Sequence, residues 1–179
     1  LLRSVLTNRD EFISLWEERE YIENYITIER FKYRGDFRIL WDVDEELWTY
    51  RIPKLLLQPV VENALIHGIS TRETEGLIQI KIFRQEKDVI VKIMDNGRGM
   101  KQEQINRLIS QVTKKDKAGF RRVGFANVLS RIHLIYGEDY GGTIYSMEEM
   151  FTCVELRLPG GESSAEGLFQ AAYGDGQQT

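Results

Sequence analysis

Two stretches of alternating apolar residues constrain the fold of this chain more than any other feature. Residues 77–84 and 89–95 each carry isoleucine or valine at every second position, and the polar stretch 85–88 separates them. A period of two is typical of β-strands with one buried face, and a short polar connection is typical of a hairpin. The second stretch ends at Asp95 and is followed directly by the glycine-rich sequence 96–100. We therefore predict a hairpin that delivers a carboxylate from a rigid strand into a loop.

Further helices and strands are predicted on both sides of this hairpin. Apolar residues at helical spacing, ended by glycine, indicate the helices, and short apolar runs indicate the strands. The predicted elements are a helix over 10–34, a strand over 37–42, a helix over 52–68 kinked at Pro59, a helix over 101–109, a basic loop over 112–122, a helix over 123–136 and strands over 143–146 and 153–158. This order is typical of an α+β domain. Residues 160–179 contain five glycines but neither lysine nor arginine, which favours a flexible tail.

Composition limits the classes of protein to consider. The 179 residues are 42% hydrophobic and carry a formal net charge of −4, as expected for one globular domain with a buried core. The mild acidity argues against nucleic-acid binding through bulk charge. One cysteine, Cys153, excludes an internal disulfide, and two histidines argue against a structural zinc site. No apolar run is long enough to cross a bilayer, and the opening residues lack both a methionine and the apolar segment of a signal peptide. We therefore expect a piece of a longer protein.

The first cluster of chemically useful side chains lies in the predicted helix over 52–68. Asn63 and His67 are four residues apart and share one helical face, with Glu62 beside them. A carboxamide oxygen is a good ligand for Mg²⁺, which prefers oxygen donors and often shares them with substrate phosphates. A satisfied helix cap or a surface stripe is the more common explanation of such a trio.

The second cluster is Asp95 with the glycine-rich loop. A carboxylate only accepts hydrogen bonds, which suits an exocyclic amine such as N6 of adenine. Gly97 and Gly99 allow the backbone to approach a flat ligand closely. A tight turn closed by the aspartate is the alternative, because Asp-Asn-Gly is a strong turn signal.

The third cluster is a basic loop followed by a glycine-led helix. Residues 112–122 contain five basic residues and one acidic residue, and Gly124 precedes the last predicted helix. Free N–H groups and the helix dipole make a helix N-terminus a favourable site for phosphate. The loop is interpreted as a phosphate lid, with an ordinary solvated loop as the alternative.

The order of these three clusters resembles the ATP-binding domain shared by gyrase, the heat-shock chaperone, histidine kinases and MutL, the GHKL superfamily. Residues 52–68, I-P-K-L-L-L-Q-P-V-V-E-N-A-L-I-H-G, are similar to the asparagine box of LytS-like sensor histidine kinases. Residues 21–34 resemble the helix that enters their catalytic domain, and residues 127–141 resemble their final helix. The resemblance covers roughly residues 10–159.

The resemblance implies a fold and a division of the chain. The fold is a two-layer α/β sandwich with a mixed sheet and three helices, the Bergerat fold, preceded by a long N-terminal linker helix. Residues 1–35 would end the dimerisation region and form the linker helix, residues 36–159 would form the catalytic domain, and residues 160–179 would form the tail.

The resemblance also implies a function, namely transfer of the γ-phosphoryl group of ATP, with Mg²⁺, to a histidine on an upstream helix. Asn63 would bind the metal, with Glu62 and His67 beside the phosphates. The implied ATP-binding residues are Asp95, Gly97, Gly99, Met100, Lys114, Lys115, Arg121, Gly124, Phe125 and Asn127. The implied partners are the phosphoacceptor helix, in cis or in a dimer, and a response regulator, but no nucleic acid. The parent protein would be a membrane-anchored homodimer with this domain in the cytoplasm, whereas the piece itself is compatible with a monomer.

Three departures from the family pattern leave alternatives open. Pro59 stands where ATPases of the superfamily place a glutamate that activates water, which favours phosphotransfer over hydrolysis. Ile66 replaces a common basic residue, and Arg122 replaces a common glycine. The alternatives are a degenerate nucleotide-binding regulatory module and an anti-sigma-type protein-serine kinase. Neither His67 nor His133 resembles a phosphoacceptor, so we expect no autophosphorylation by the chain alone.

Overall fold

The computed structural model describes residues 12–32, 37–69, 75–113 and 124–160, and the fold is given for these ranges. The strands are β1 (Phe12–Ser14), β2 (Phe37–Val43), β3 (Arg51–Pro53), β4 (Gly76–Gln85), β5 (Asp88–Asp95), β6 (Gly141–Met147) and β7 (Phe151–Pro159). The α-helices are α1 (Leu15–Lys32), α2 (Gln58–Asn63), α3 (Gln102–Thr113) and α4 (Phe125–Tyr136). A 3-10 segment, Glu45–Thr49, precedes β3, and a π-helical segment, Ala64–Ile69, continues α2.

The central sheet has five strands in the order β2-β4-β5-β7-β6. β2 runs parallel to β4, and every other neighbouring pair is antiparallel, so the sheet is mixed. The predicted hairpin forms β4 and β5, and Ile80 lies opposite Ile93 in it. Ile80 is fully buried, and it belongs to one hydrophobic cluster with Val61 of α2 and Ile132 of α4. The helices therefore cover one face of the sheet, and the predicted α+β class and two-layer sandwich are confirmed.

The N-terminal helix is shorter than the predicted span 10–34. Residues 12–14 form β1 instead, which pairs antiparallel with β3 so that Phe12 faces Pro53. The helix then begins at Leu15, where Ser14 and Glu17 exchange hydrogen bonds as a cap: Ser14 N–H donates to Glu17 Oε2 at 2.8 Å, and Glu17 N–H donates to Ser14 Oγ at 3.2 Å. Pairing with a distant strand therefore overrides the local helical pattern.

The predicted helix over 52–68 is wrong at its beginning and at its kink. Residues 51–53 form β3, and α2 begins only at Gln58. Pro59 consequently lies in the first turn, where a helix does not need the missing N–H, so it does not kink the helix. The helix also does not stop at Gly68, because the π-helical segment continues through Ile69.

In the second half, the predicted elements are present with shifted boundaries. The helix α3 begins one residue later than predicted and extends to Thr113, and the strands β6 and β7 are longer than predicted. Gly137 follows α4 with φ of +88°, as expected for a glycine that ends a helix. The rest of the basic loop and the tail from residue 161 lie outside the described residues. None of the helices in the described ranges is both long and apolar enough to cross a bilayer.

Candidate nucleotide-binding site

One cavity of about 370 Å³ lies between the covered face of the sheet and the helices. Its lining combines apolar side chains with a small number of polar groups, as is typical of sites for small molecules. The lining residues are Val60, Asn63, Ala64, His67, Gly68, Ile93, Asp95, Arg98, Gly99, Met100, Gln104, Arg107, Leu108, Phe125, Ile144, Thr152 and Val154. Six of the residues singled out from sequence are among them: Asn63, His67, Asp95, Gly99, Met100 and Phe125.

Asp95 is the last residue of β5, and it is 3% exposed. Its Oδ1 accepts a hydrogen bond of 2.9 Å from the Gly97 N–H, so the turn that the sequence offered as an alternative does form. A Cβ atom added at Gly68 or at Gly97 would lie 2.5 Å from this oxygen. The two glycines therefore leave the space that the carboxylate occupies. A carboxylate that closes a turn and also lines a cavity has its orientation set before any ligand arrives.

The loop after Asp95 is held from two sides. The Arg98 N–H donates to the Gly68 carbonyl at 3.2 Å, and the Met100 N–H donates to Ser146 Oγ at 2.8 Å. Gly99 has φ of +64°, and a Cβ atom there would overlap the Met147 carbonyl oxygen. Gly99 is therefore required both for its backbone conformation and for the close approach of β6. The backbone thus forms a fixed rim along one side of the cavity.

Asn63 ends α2 and contacts the beginning of α4. A Cβ atom at Gly124 would overlap the Asn63 Nδ2 atom and would lie 2.9 Å from Oδ1. Gly124 also has φ of +44°, which disfavours any residue with a side chain. The carboxamide that the sequence suggested as a metal ligand is therefore adjacent to the helix N-terminus that the sequence suggested for phosphate. The two features came from separate motifs about sixty positions apart.

The remaining predicted residues differ in whether they line the cavity. Glu62 does not line the cavity; its Oε1 accepts a hydrogen bond of 2.9 Å from Gln58 Nε2. Asn127 is exposed and is likewise not among the lining residues, whereas His67 is exposed at the cavity. Ile66, 41% exposed, also lies outside the lining. Lys114, Lys115 and Arg121 fall outside the described residues, as does Arg122.

Several lining residues were not found from sequence. Gly68 was interpreted only as a helix stop, although its missing side chain makes room for Asp95. Thr152 lies directly opposite Asp95 in the pairing of β5 with β7, so a correct strand register would have found it. Arg98 and Arg107 are exposed side chains in an otherwise ordinary loop and helix, and no local signal distinguishes them.

The donor set at Asn63 fits Mg²⁺ only in combination with a nucleotide. Within the described ranges, no three histidine, cysteine, aspartate or glutamate side chains come together as a metal site. Mg²⁺ commonly keeps several waters and takes one or two protein oxygens together with substrate phosphates. The Asn63 amide oxygen can be one such ligand, because it lies at the cavity and beside a helix N-terminus.

Comparison with known proteins settles the family. Residues 51–162 match the family described as "Histidine kinase-, DNA gyrase B-, and HSP90-like ATPase". The chain belongs to this family. The resemblance inferred from the three motifs is thereby confirmed, and the match spans α2, the glycine-rich loop and α4.

Similar proteins include sensor histidine kinases. Sensor histidine kinase YesM of Bacillus subtilis is 30% identical over 159 residues, which are 89% of this chain and 26% of that protein. Sensor histidine kinase YpdA of Escherichia coli is 33% identical over 129 residues, which are 72% of this chain and 22% of that protein. The chain therefore spans about a quarter of the length of these relatives.

Solved structures share the fold. The histidine kinase domain of a blue-light activated kinase from Erythrobacter litoralis EL346 superposes with a TM-score of 0.57 at 20% identity, covering 88% of this chain and 65% of that one. The catalytic domain of histidine kinase ThkA gives 0.55 at 19% identity, covering 83% of this chain and 96% of that one. Because both identities are low, the likeness concerns the fold alone, and it confirms the predicted Bergerat fold.

Proposed function

We propose that this chain is the ATP-binding catalytic domain of a two-component sensor histidine kinase, which transfers the γ-phosphoryl group of ATP to a histidine on an upstream helix. One observation carries the proposal: Asp95, at the end of β5, and Asn63, in contact with Gly124, line the same cavity. A hydrogen-bond acceptor for a base and a ligand for a phosphate-bound metal are thus available to one molecule.

In this proposal, Asp95 accepts a hydrogen bond from the adenine amine, and the backbone of Gly97, Gly99 and Met100 borders the base. Apolar groups such as Ile93 and Val154 exclude water from that end of the cavity. Exclusion of water strengthens a hydrogen bond to a carboxylate, because no solvent competes for it.

At the other end, the N–H groups that open α4 after Gly124 bind phosphate, because the helix dipole and the N–H groups at the start of this 12-residue helix favour an anion. Mg²⁺, when bound, neutralises charge on the phosphate oxygens, and Asn63 supplies one of its ligands. The basic loop adds positive charge through Lys114, Lys115 and Arg121. The start of α4 adds Phe125 and Asn127 to the nucleotide-binding residues. The chain's own contribution is orientation and charge neutralisation.

We further propose that the phosphoacceptor lies outside these residues. The named relatives are about four times longer than the matched region, which leaves room for a sensor and a phosphoacceptor helix. Residues 1–35 would then connect that part to the catalytic domain at 36–159, with a tail at 160–179. The same resemblance supports three further proposals. A response regulator is the partner, the parent protein is a membrane-anchored homodimer, and this domain lies in the cytoplasm.

Isothermal titration with ATP, in Mg²⁺ and in EDTA, tests nucleotide binding. We expect wild type to bind Mg-ATP more tightly than metal-free ATP, and Asn63→Ala to lose this difference. Asn106→Ala is the matched control, because Asn106 is exposed on α3, bonds Gln102 and does not line the cavity. Absence of Mg-ATP binding by wild type would refute nucleotide binding and with it the proposed kinase function.

Phosphotransfer is tested by adding the upstream helix of the parent protein to the chain with Mg-ATP. We expect acid-labile phosphohistidine on that helix and none on the chain alone. Acid-stable phosphoserine on an added partner would favour the serine-kinase alternative, and binding without any transfer would favour the regulatory module.

A further inference from the structure

Glu18 is a buried carboxylate outside the cavity. It lies on α1 and is 0% exposed, although glutamate is seldom fully buried without partners. Its Oε2 accepts a hydrogen bond of 2.8 Å from the Leu55 N–H. Its Oε1 accepts bonds of 2.8 Å from the Leu57 N–H and 3.2 Å from the Gln58 N–H. The side chain thus binds three backbone amides of another segment.

These three amides belong to the turn that leads into α2, residues 54–58, which we name the entry turn. The first amides of a helix have no partner within the helix and usually receive one from a neighbouring side chain. Leu57, which precedes α2, supplies no such side-chain bond. Leu55 also adopts φ of +57°, which is unfavourable for a leucine. The entry turn therefore depends on a cap that comes from α1.

Arg131 of α4 binds the carbonyl side of the same turn. Its Nη2 donates to the Lys54 carbonyl at 3.0 Å, and its Nη1 donates to the Leu55 carbonyl at 3.2 Å. Burial raises the pKa of the Glu18 carboxyl. The Arg131 guanidinium opposes this effect, because its positive charge favours the charged form of the carboxylate. Glu18 and Arg131 together hold the donors and the acceptors of the entry turn.

The helix α2 places Asn63 close to the entry turn. It spans six residues from Gln58 to Asn63, less than two turns, before the π-helical segment Ala64–Ile69 continues it. Its end contacts Gly124, the residue that opens α4, and α4 also carries Arg131. A shift of the entry turn would therefore move Asn63 relative to the start of α4, whereas Asp95 is anchored at the end of β5 and by its bond to the Gly97 N–H.

We propose that Glu18 is a positioning residue for the metal-phosphate end of the nucleotide site. It fixes the entry turn and thereby sets the position of the Asn63 carboxamide, so the placement of α1 is coupled to Mg-ATP binding. The inference rests on the proposed role of Asn63 and adds to it a determinant on α1, the helix that connects to the preceding part of the chain.

The test compares two ligands in the full chain. Glu18→Gln keeps the size of the side chain but presents an amide N–H₂ to one backbone N–H, which breaks part of the cap. We expect Mg-ATP affinity to fall by about tenfold, the lower end of what loss of a ligand-orienting residue costs, while adenosine affinity stays unchanged. Glu20→Gln, an exposed change of the same charge on the same helix, is expected to alter neither. Equal loss for both ligands, or no loss for either, would overturn the proposal.

A double-mutant cycle separates this inference from the proposed function. If Glu18 acts through Asn63, Glu18→Gln will have no further effect on Mg-ATP affinity in the Asn63→Ala background. Additive losses would overturn the inference. If Asn63→Ala alone has no effect, the assignment of Asn63 fails instead.

Should Glu18→Gln not fold, Arg131→Lys gives the same comparison from the other side of the entry turn. It keeps the charge but loses the pair of bonds that the planar guanidinium makes to two carbonyls. The same selective loss of Mg-ATP affinity supports the inference, and an unchanged Mg-ATP affinity overturns it.

Discussion

Gly124→Ala offers a sharp test of how the site is assembled. A Cβ atom at this position would overlap Asn63 Nδ2 and approach Cγ to 2.7 Å, so the carboxamide must rotate or α4 must move away. The neighbouring atoms are those of the Asn63 carboxamide, so relief of the overlap moves the group that is proposed to bind the metal. Asn63 is therefore expected to leave the position in which it can bind a phosphate-bound metal.

The expected size follows from two separate costs. An alanine at φ of +44° and ψ of −94°, a sparsely populated combination, loses about 1–3 kcal/mol, which lowers the melting temperature by roughly 2–12 °C for a chain of this length. Displacement of a metal ligand lowers affinity by about 10–100-fold, or roughly 1.4–2.8 kcal/mol of binding free energy. The first cost appears in stability, and the second appears only in Mg-ATP binding.

Gly137→Ala separates the two costs. Gly137 also has positive φ, +88°, but nothing lies within 4 Å of an added Cβ atom. We expect both variants to lose stability in thermal unfolding, and only Gly124→Ala to lose Mg-ATP affinity in isothermal titration. Equal Mg-ATP affinity of the two variants would refute the reasoning, because contact between Gly124 and Asn63 would then not matter for binding.

Three further outcomes are expected. Asp95→Asn can keep the bond to the Gly97 N–H but places an amide donor toward the adenine amine, so the free energy of ATP binding should weaken by about 1.5–3 kcal/mol. GTP presents a carbonyl at that position and should lose less affinity, which competitive titration with both nucleotides checks. Ser146→Ala removes the acceptor of the Met100 N–H and should lower the free energy of unfolding by about 1 kcal/mol in urea titrations, and no change would mean that the hydroxyl does not hold the loop. Burial raises the folded-state pKa of Glu18 above 4.5, so the folded protein binds more protons there than the unfolded chain; this contribution to stability is complete below pH 4.5 and is lost as pH rises through the raised pKa. Urea unfolding of wild type and Glu18→Gln across this range should show a falling difference, whereas a constant difference would contradict it.

The hairpin could be predicted because its signal is local. The strands at 77–84 and 89–95 were located within one residue at each end, since alternation and a polar turn lie within the same twenty residues. The beginning of the asparagine helix could not be located in the same way. Residues 51–53 pair with residues 12–14, and nothing in the apolar pattern around Pro53 records a partner so far away.

The site shows the same division. Asp95 and Asn63, which line the cavity, could be singled out from sequence because their types and neighbours are informative. Gly68 was assigned only as a helix stop. Its further role is to have no side chain, because a Cβ atom there would lie 2.5 Å from an Asp95 oxygen on another element. Glu18 was missed because a glutamate on an amphipathic helix gives no sign that it is buried. Absent side chains and long-range caps are properties of packing, which one sequence does not display.

Pro59 connects the architecture of α2 with the choice of reaction. A proline in the first turn has no N–H to satisfy, while the amides of Leu57 and Gln58 just before it are bound by Glu18. The beginning of the helix is therefore organised to fix its direction and carries no carboxylate where the family's water-activating ATPases have one. Glu62, on the same helix, is engaged with the Gln58 side chain. A helix that holds Asn63 in place without a base for water favours a domain that orients ATP and leaves the γ-phosphoryl group to an acceptor supplied from outside it.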